Sequence, residues 1–240
     1  VRGNLQKIVA TLEQEYQNSD LIVFTELFLV GYPPRDLLEK PALIHQVQEA
    51  LEHLVDLSAR YPATGILVGA PQPTGRDTGK GLCNCAVLIH QGQVRLRQAK
   101  SLLPTYDVFD ETRHFDPAGQ VAVVPFKDEV LGISICEDAW YDPELWFRRL
   151  YPLDPIQAQA EGGATVLINI SASPFQVGKE ELRHRLFQSH ARKYGLPLVS
   201  VNQVGGNDEL IFDGRSLALD PAGEAIAVLP GFRETVVTVD

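Results

Sequence analysis

Three side chains in this sequence have the type and the placement for acyl chemistry: Glu26, Lys100 and Cys136. Cys136 closes the apolar run Gly132-Ile-Ser-Ile-Cys136 and is followed at once by Glu137 and Asp138. A nucleophile belongs where a strand gives way to a sharp turn, because the turn exposes the side chain and offers backbone N–H groups to an oxyanion. A buried structural cysteine fits the same pattern. The two adjacent carboxylates also oppose thiolate formation, so a nucleophilic Cys136 needs a nearby cation. Glu26 ends the apolar run Leu21-Ile-Val-Phe-Thr-Glu26, either as a solvated carboxylate or as a buried one suited to general-base work. Lys100 follows a strand-like stretch at 94–99 and precedes a proline-containing loop, as a solvated lysine or as the cation that Cys136 requires.

Other candidates carry less. Cys83 and Cys85 form a Cys-x-Cys with no second Cys or His pair at metal-ligand spacing, so they read as strand packing and no metal is expected. His184 and His190 are six apart on a predicted helix, which is not one face, and read as surface or packing residues. Gly205-Gly206 reads as a turn. Neither a phosphate loop nor a strand-linked G-x-G-x-x-G occurs, so no ATP or dinucleotide site, and no cofactor, is expected in this chain.

The elements that must position these residues follow from periodicity. Apolar residues at helical spacing predict helices over 2–17 and 41–60, and the run from Leu21 to Glu26 predicts a buried strand between them. A strand over 65–70 ends at Pro71, and 72–81 is a Gly/Pro-rich loop. Hairpins follow at 86–98, turning at Gln91-Gly92, and at 121–135, turning at 127–129. Helices return at 155–161 and 179–194, with buried strands at 164–170 and 198–201. A hairpin turning at Asp220–Gly223 and a last strand over 235–239 close the chain. Helices and strands interleave at both ends around a run of hairpins, which predicts an α/β layer structure of two helix-covered sheets rather than one parallel sheet. No repeat or linker interrupts it, so one domain spanning 1–240 is the economical reading.

Composition narrows the class. The 240 residues are 45% hydrophobic and 22% charged, with mean hydropathy −0.06, which is ordinary globular usage. Thirty-one acidic against 21 basic residues give a formal charge of −10 and a pI near 5.1, which disfavours nucleic-acid and anionic-membrane partners. Three cysteines are too few and too odd in number for a disulfide scaffold, so a reducing, cytoplasmic compartment is expected. There is no run long enough for a membrane span, no signal-peptide pattern and no Met, and residue 1 is Val, so some N-terminal sequence is expected to precede it.

Glu26, Lys100 and Cys136, in that order and each at a predicted strand end, resemble the Glu-Lys-Cys triad of the nitrilase superfamily. The surrounding blocks are similar to the glutaminase domain of glutamine-dependent NAD+ synthetases. They are Thr25-Glu-Leu27 with Gly31-Tyr-Pro-Pro-Arg-Asp-Leu-Leu38, Lys100 through Phe115, Ile135-Cys-Glu-Asp-Ala-Trp140, Asn169-Ile-Ser-Ala-Ser-Pro-Phe175 with Gly178-Lys179, and Val201 through Glu209. The resemblance implies an α-β-β-α sandwich. It implies Cys136 as nucleophile, Glu26 as base, and Lys100 with the Glu137 N–H as the oxyanion site. Tyr106, Glu137, Ser171, Ser173 and Lys179 would meet the α-amino and α-carboxylate groups of L-glutamine, and Glu111 would orient Lys100 from behind.

The family's opening strand lies before the helix at 2–17 and is expected to precede Val1. The implied partner is a C-terminal synthetase domain beyond Asp240, which would use ATP and Mg2+ to amidate nicotinic acid adenine dinucleotide with the released ammonia. A homo-oligomer is expected. Two other readings stay open: a free-standing amidase or carbamoylase with the same triad, and a catalytically silent oligomerisation module.

Overall fold

A computed structural model describes residues 1–142 and 151–240. They form two compact units, Val1–Ala118 and Gly119–Asp240.

The first unit runs α1 (Arg2–Glu15), β1 (Leu21–Val23), α2 (Pro41–Ser58), β2 (Gly65–Pro73), β3 (Leu82–His90) and β4 (Gln93–Ala99). Its four strands lie in chain order, with β1 parallel to β2 and the others antiparallel. Ile8 and Leu12 of α1 and Val47, Leu51 and Leu54 of α2 pack with Ile66, Val68, Val87 and Ile89 of the sheet in one buried cluster. Pro41 starts α2, where a missing N–H costs nothing. β1 is shorter than the predicted strand. Phe24 still donates to Leu67 O (2.8 Å), but the chain then leaves the ladder, with Leu27 at φ +47°. β2 is longer than predicted and runs through Pro71 and Pro73. Prolines are tolerated there because the β1 ladder pairs only with residues 65–67, so positions 71 and 73 lie beyond it.

The second unit runs β5 (Val123–Phe126), β6 (Glu129–Ile135), α3 (Pro155–Glu161), β7 (Val166–Ser171), α4 (Lys179–Tyr194), β8 (Leu198–Asn202), β9 (Val204–Asn207), β10 (Leu210–Asp213), β11 (Leu217–Leu219) and β12 (Ala225–Val228). Six strands form a sheet in the order β12-β11-β8-β7-β6-β5, in which β6, β7 and β8 are parallel. Ile156 of α3 and Phe187 and Ala191 of α4 pack on Leu167, Leu198, Leu217 and Leu219. α4 has the predicted bounds because its signals coincide: glycines in the left-handed region flank it, glutamates fill its first turn, and Arg192 and Lys193 fill its last.

Two expectations fail. Gly205 and Gly206 are not a turn but the middle of β9, paired with Phe212 and Ile211 of β10, and the chain reverses at 208–209 instead. Residues 235–239 form no strand among the described residues. Val236 and Val237 are more than half exposed: β-forming residue types alone do not make a strand without a pairing partner.

Candidate active site

In the first unit, Glu26, Lys100 and Glu111 converge although 74 and 11 residues separate the lysine from its two partners. Lys100 Nζ donates to Glu26 Oε1 at 2.8 Å and to Glu111 Oε1 at 2.6 Å. None of the three is solvated: Glu26 is 0% exposed, Lys100 1% and Glu111 5%. The fold places each one. Glu26 follows the end of β1 on a segment that crosses β2 at Gly69. A Cβ built at Gly69 would lie 2.3 Å from Leu27 N and 2.4 Å from Thr25 O, so the crossing needs a residue with no side chain. Lys100 follows β4 and stays in register with β3, its N–H donating to Asn84 O at 2.8 Å. Glu111 opens a short 3-10 turn (Glu111–Arg113), and Tyr32 OH donates to its Oε1 at 2.9 Å. Burial, with the neighbouring Glu26 charge, holds the Glu111 carboxyl above the usual carboxylate range, against the pull of Lys100 and Tyr32. Asn84 Nδ2 donates to Glu26 Oε1 at 2.7 Å and reaches Glu111 Oε2 at 3.5 Å. Tyr106 lies on the loop after Lys100, about half exposed, with its ring edge-on to Phe109 at 5.6 Å.

In the second unit, Cys136 begins a 3-10 turn (Cys136–Ala139) directly after β6. Its φ of +44° is rare for a side-chain-bearing residue and marks a backbone held tightly by its surroundings. Asp138 Oδ2 accepts the Ile135 N–H at 3.0 Å, and the Trp140 N–H donates to Glu137 O at 2.8 Å, which closes the turn. From the helix side, the carbonyl of Ala139 accepts from buried His190 Nε2 at 2.7 Å. Cys136, Ser171 and Asn202 stand at the carboxyl ends of β6, β7 and β8, the edge at which parallel sheets present their ligands. Below them a polar chain runs along the sheet: Ser171 Oγ donates to Asn169 Oδ1 (2.6 Å) and Asn169 Nδ2 to Ser134 Oγ (2.9 Å). Ser173 donates its N–H to Asn202 Oδ1 at 2.8 Å. Glu137 is buried, and its Oε1 accepts from Tyr151 OH at 3.0 Å. Lys179 Nζ lies 5.2 Å from the Trp140 ring centroid. A cleft is lined by Trp140, Ser171, Ser173, Arg183, Asn202 and Arg215, and Arg183 is held by an ion pair with buried Asp213 at 2.6 Å.

Sequence reasoning did not single out Asn84, Tyr32, Asn169 or Tyr151. A signal existed for Asn84, since asparagine inside an apolar strand is disfavoured unless its amide is used. Cys83 and Cys85 pack in the first unit's core with their sulfurs 3.2 Å apart, and the cysteines form no disulfide. Among the described residues no three His, Cys, Asp or Glu are grouped to hold a metal, and no helix is long and apolar enough to cross a membrane.

The carbon-nitrogen hydrolase family model matches residues 1–240. The chain belongs to the carbon-nitrogen hydrolase family. It is 42% identical over 238 residues to a glutamine-dependent NAD(+) synthetase of Synechocystis sp., a match that covers 98% of this chain and 42% of the relative. Among solved structures, a glutamine-dependent NAD+ synthetase from Acinetobacter baumannii in complex with ADP is 30% identical with a TM-score of 0.83, over 98% of this chain and 41% of that one. An amidase from Nesterenkonia sp., 24% identical with a TM-score of 0.78 over 95% of this chain and 80% of that one, shares the fold. The α/β expectation thus holds, in the fold of this family. The chain spans about two fifths of the length of the synthetases it matches.

Proposed function

We propose that this carbon-nitrogen hydrolase cleaves the side-chain amide of L-glutamine through a thioester on Cys136. Glu26 takes the thiol proton, and the thiolate attacks the amide carbon. Lys100 and the Glu137 N–H hold the resulting oxyanion. Collapse breaks the C–N bond, and the proton returned by Glu26 lets nitrogen leave as ammonia. Glu26 then deprotonates a water that attacks the thioester, and glutamate and the Cys136 thiol are released. Glu137 pairs with the substrate α-ammonium, while Tyr106, Ser171, Ser173 and Lys179 supply the remaining polar contacts. Glu111 holds Lys100 from behind.

The observation that supports this reading best is the sealed Glu26–Lys100–Glu111 cluster. Burying three charges is costly and gives little stability in return, so it suggests a chemical use. The names of the similar synthetases support a link between glutamine and NAD+ synthesis. On the proposed reading the ammonia serves a synthetase domain of the same protein, which uses ATP and Mg2+ to amidate nicotinic acid adenine dinucleotide to NAD+. A cytoplasmic homo-oligomer completes the proposal.

A diazoketone analogue of glutamine tests it. Mass should be added at Cys136 in the wild type, L-glutamine should protect against it, and Cys136→Ala should abolish it. No adduct, or protection by simple aliphatic amides but not by glutamine, would overturn the glutaminase reading.

A further inference from the structure

We infer that Asn84 is a positioning residue that fixes the orientation of Glu26, an inference that rests on the proposed role of Glu26 as base. Asn84 is completely buried in β3. Strand alternation sends Cys83, Cys85, Val87 and Ile89 into the helix-covered core and Asn84 to the opposite face. There it touches all three charged members of the cluster: Nδ2 donates to Glu26 Oε1 at 2.7 Å and reaches Glu111 Oε2 at 3.5 Å, and its main-chain oxygen accepts from Lys100 N at 2.8 Å. Chemistry fixes the amide orientation, because turning it over would set Oδ1 against two carboxylate oxygens, acceptor against acceptor.

Two features separate positioning from packing. Asn84 Oδ1 is buried with no hydrogen-bond partner among the described residues, so as a filler the side chain is worse than an apolar one of its size. What the amide contributes is its N–H donors. Second, Lys100 alone cannot orient Glu26. It is shared between two carboxylates and lies nearer Glu111, at 2.6 Å, than Glu26, at 2.8 Å. Asn84 adds a second donor on the same oxygen, Glu26 Oε1. Two donors converging on one oxygen fix the carboxylate's rotation about its last torsion, and with it the direction in which Oε2 faces. A neutral amide does this without adding a fourth charge to a buried site, where charges are weakly screened.

The test compares Asn84→Leu, which removes the donors and the orphan acceptor together, with Asn84→Asp, which keeps the shape but adds a carboxylate. Glutaminase kinetics are measured in the full-length protein from about pH 5 to 9, beside thermal unfolding. In Asn84→Leu, kcat should fall about tenfold or more with KM within about threefold. The acid limb of the kcat/KM profile should move to higher pH, because a carboxylate that loses a donor is harder to ionise. Asn84→Asp should move it further. A folded Asn84→Leu variant with unchanged kcat, or one whose loss of rate tracks its loss of melting temperature with the acid limb unmoved, would overturn the inference.

A readout that needs no turnover separates this failure from failure of the glutaminase reading. The side-chain carboxyl 13C resonance of Glu26, assigned by its loss in Glu26→Gln, should shift in Asn84→Leu. If glutamine is not hydrolysed but the resonance shifts, Asn84 still orients Glu26 and only the reaction was misassigned. An unmoved resonance would overturn the inference whatever the activity.

Discussion

Lys100 Nζ lies 2.6 Å from Glu111 Oε1, and neither group is more than one-twentieth exposed. This one cation serves two buried carboxylates. Lys100→Met should therefore destabilise the chain by about 3–5 kcal/mol near pH 7, since it takes the Lys100 charge away from both. The loss should shrink toward pH 5. Glu111 is already held above the usual carboxylate range, and without Lys100 it rises further, so the folded state binds more protons than the unfolded state and stability rises as pH falls. Urea unfolding at the two pH values checks this, and equal losses would contradict it.

Gly69 and Gly206 are both strand glycines but should respond differently to alanine. A Cβ at Gly69 meets backbone at 2.3 Å, whereas the nearest atom to one at Gly206 is Leu210 O at 3.6 Å. Gly69→Ala should cost about 3 kcal/mol or prevent accumulation of folded protein, and Gly206→Ala should change stability by less than about 1 kcal/mol. Similar unfolding midpoints for the two variants would refute the proposed crossing constraint.

His190 gives the second unit a pH dependence of its own. Burial pushes its imidazole below the ordinary value, although its acceptor, the Ala139 carbonyl, and the charges of Asp154 and Asp142 pull the other way. The folded state therefore holds His190 neutral while the unfolded chain takes up a proton. Stability conferred by this group is present above about pH 6.5 and falls as pH drops from there to the lower native value, by at most about 1.4 kcal/mol per pH unit. His190→Gln, which keeps a donor for Ala139, should flatten that slope. An unchanged slope in equilibrium unfolding from about pH 7 to 5 would show that another group is responsible.

Glu137 should act on substrate affinity before rate. Glu137→Gln removes the charge proposed to meet the α-ammonium but keeps an acceptor for Tyr151 OH, now 3.0 Å away. KM for glutamine should rise about tenfold or more with a smaller change in kcat. An unchanged KM would remove Glu137 from the ammonium contact.

Elements with several coincident signals were legible in the sequence, as in α4, where caps, charges and apolar spacing agree. Residues 235–239 fail as a strand because β-forming residue types say nothing about whether a neighbouring strand is there to pair with. Gly205 and Gly206 were misread because their pairing with Ile211 and Phe212 lies outside the local window. At the site, the types of Glu26, Lys100 and Glu111 were legible from family resemblance, but their shared hydrogen bonds were not, since contacts across 74 residues leave no periodic trace. Asn84 was hidden between two cysteines that fit a packing role, and Tyr32 within a proline-rich block.

The close crossing at Gly69 also bears on how this protein can evolve. Every one-base missense change at the first or second position of a glycine codon yields a residue with at least a Cβ, which would lie 2.3 Å from the backbone just after Glu26. No single missense step there avoids that contact. Inheritance of the carboxylate's position is thus tied to a codon that does not encode the carboxylate, and lineages that lose the chemistry by drift need not lose Glu26 first.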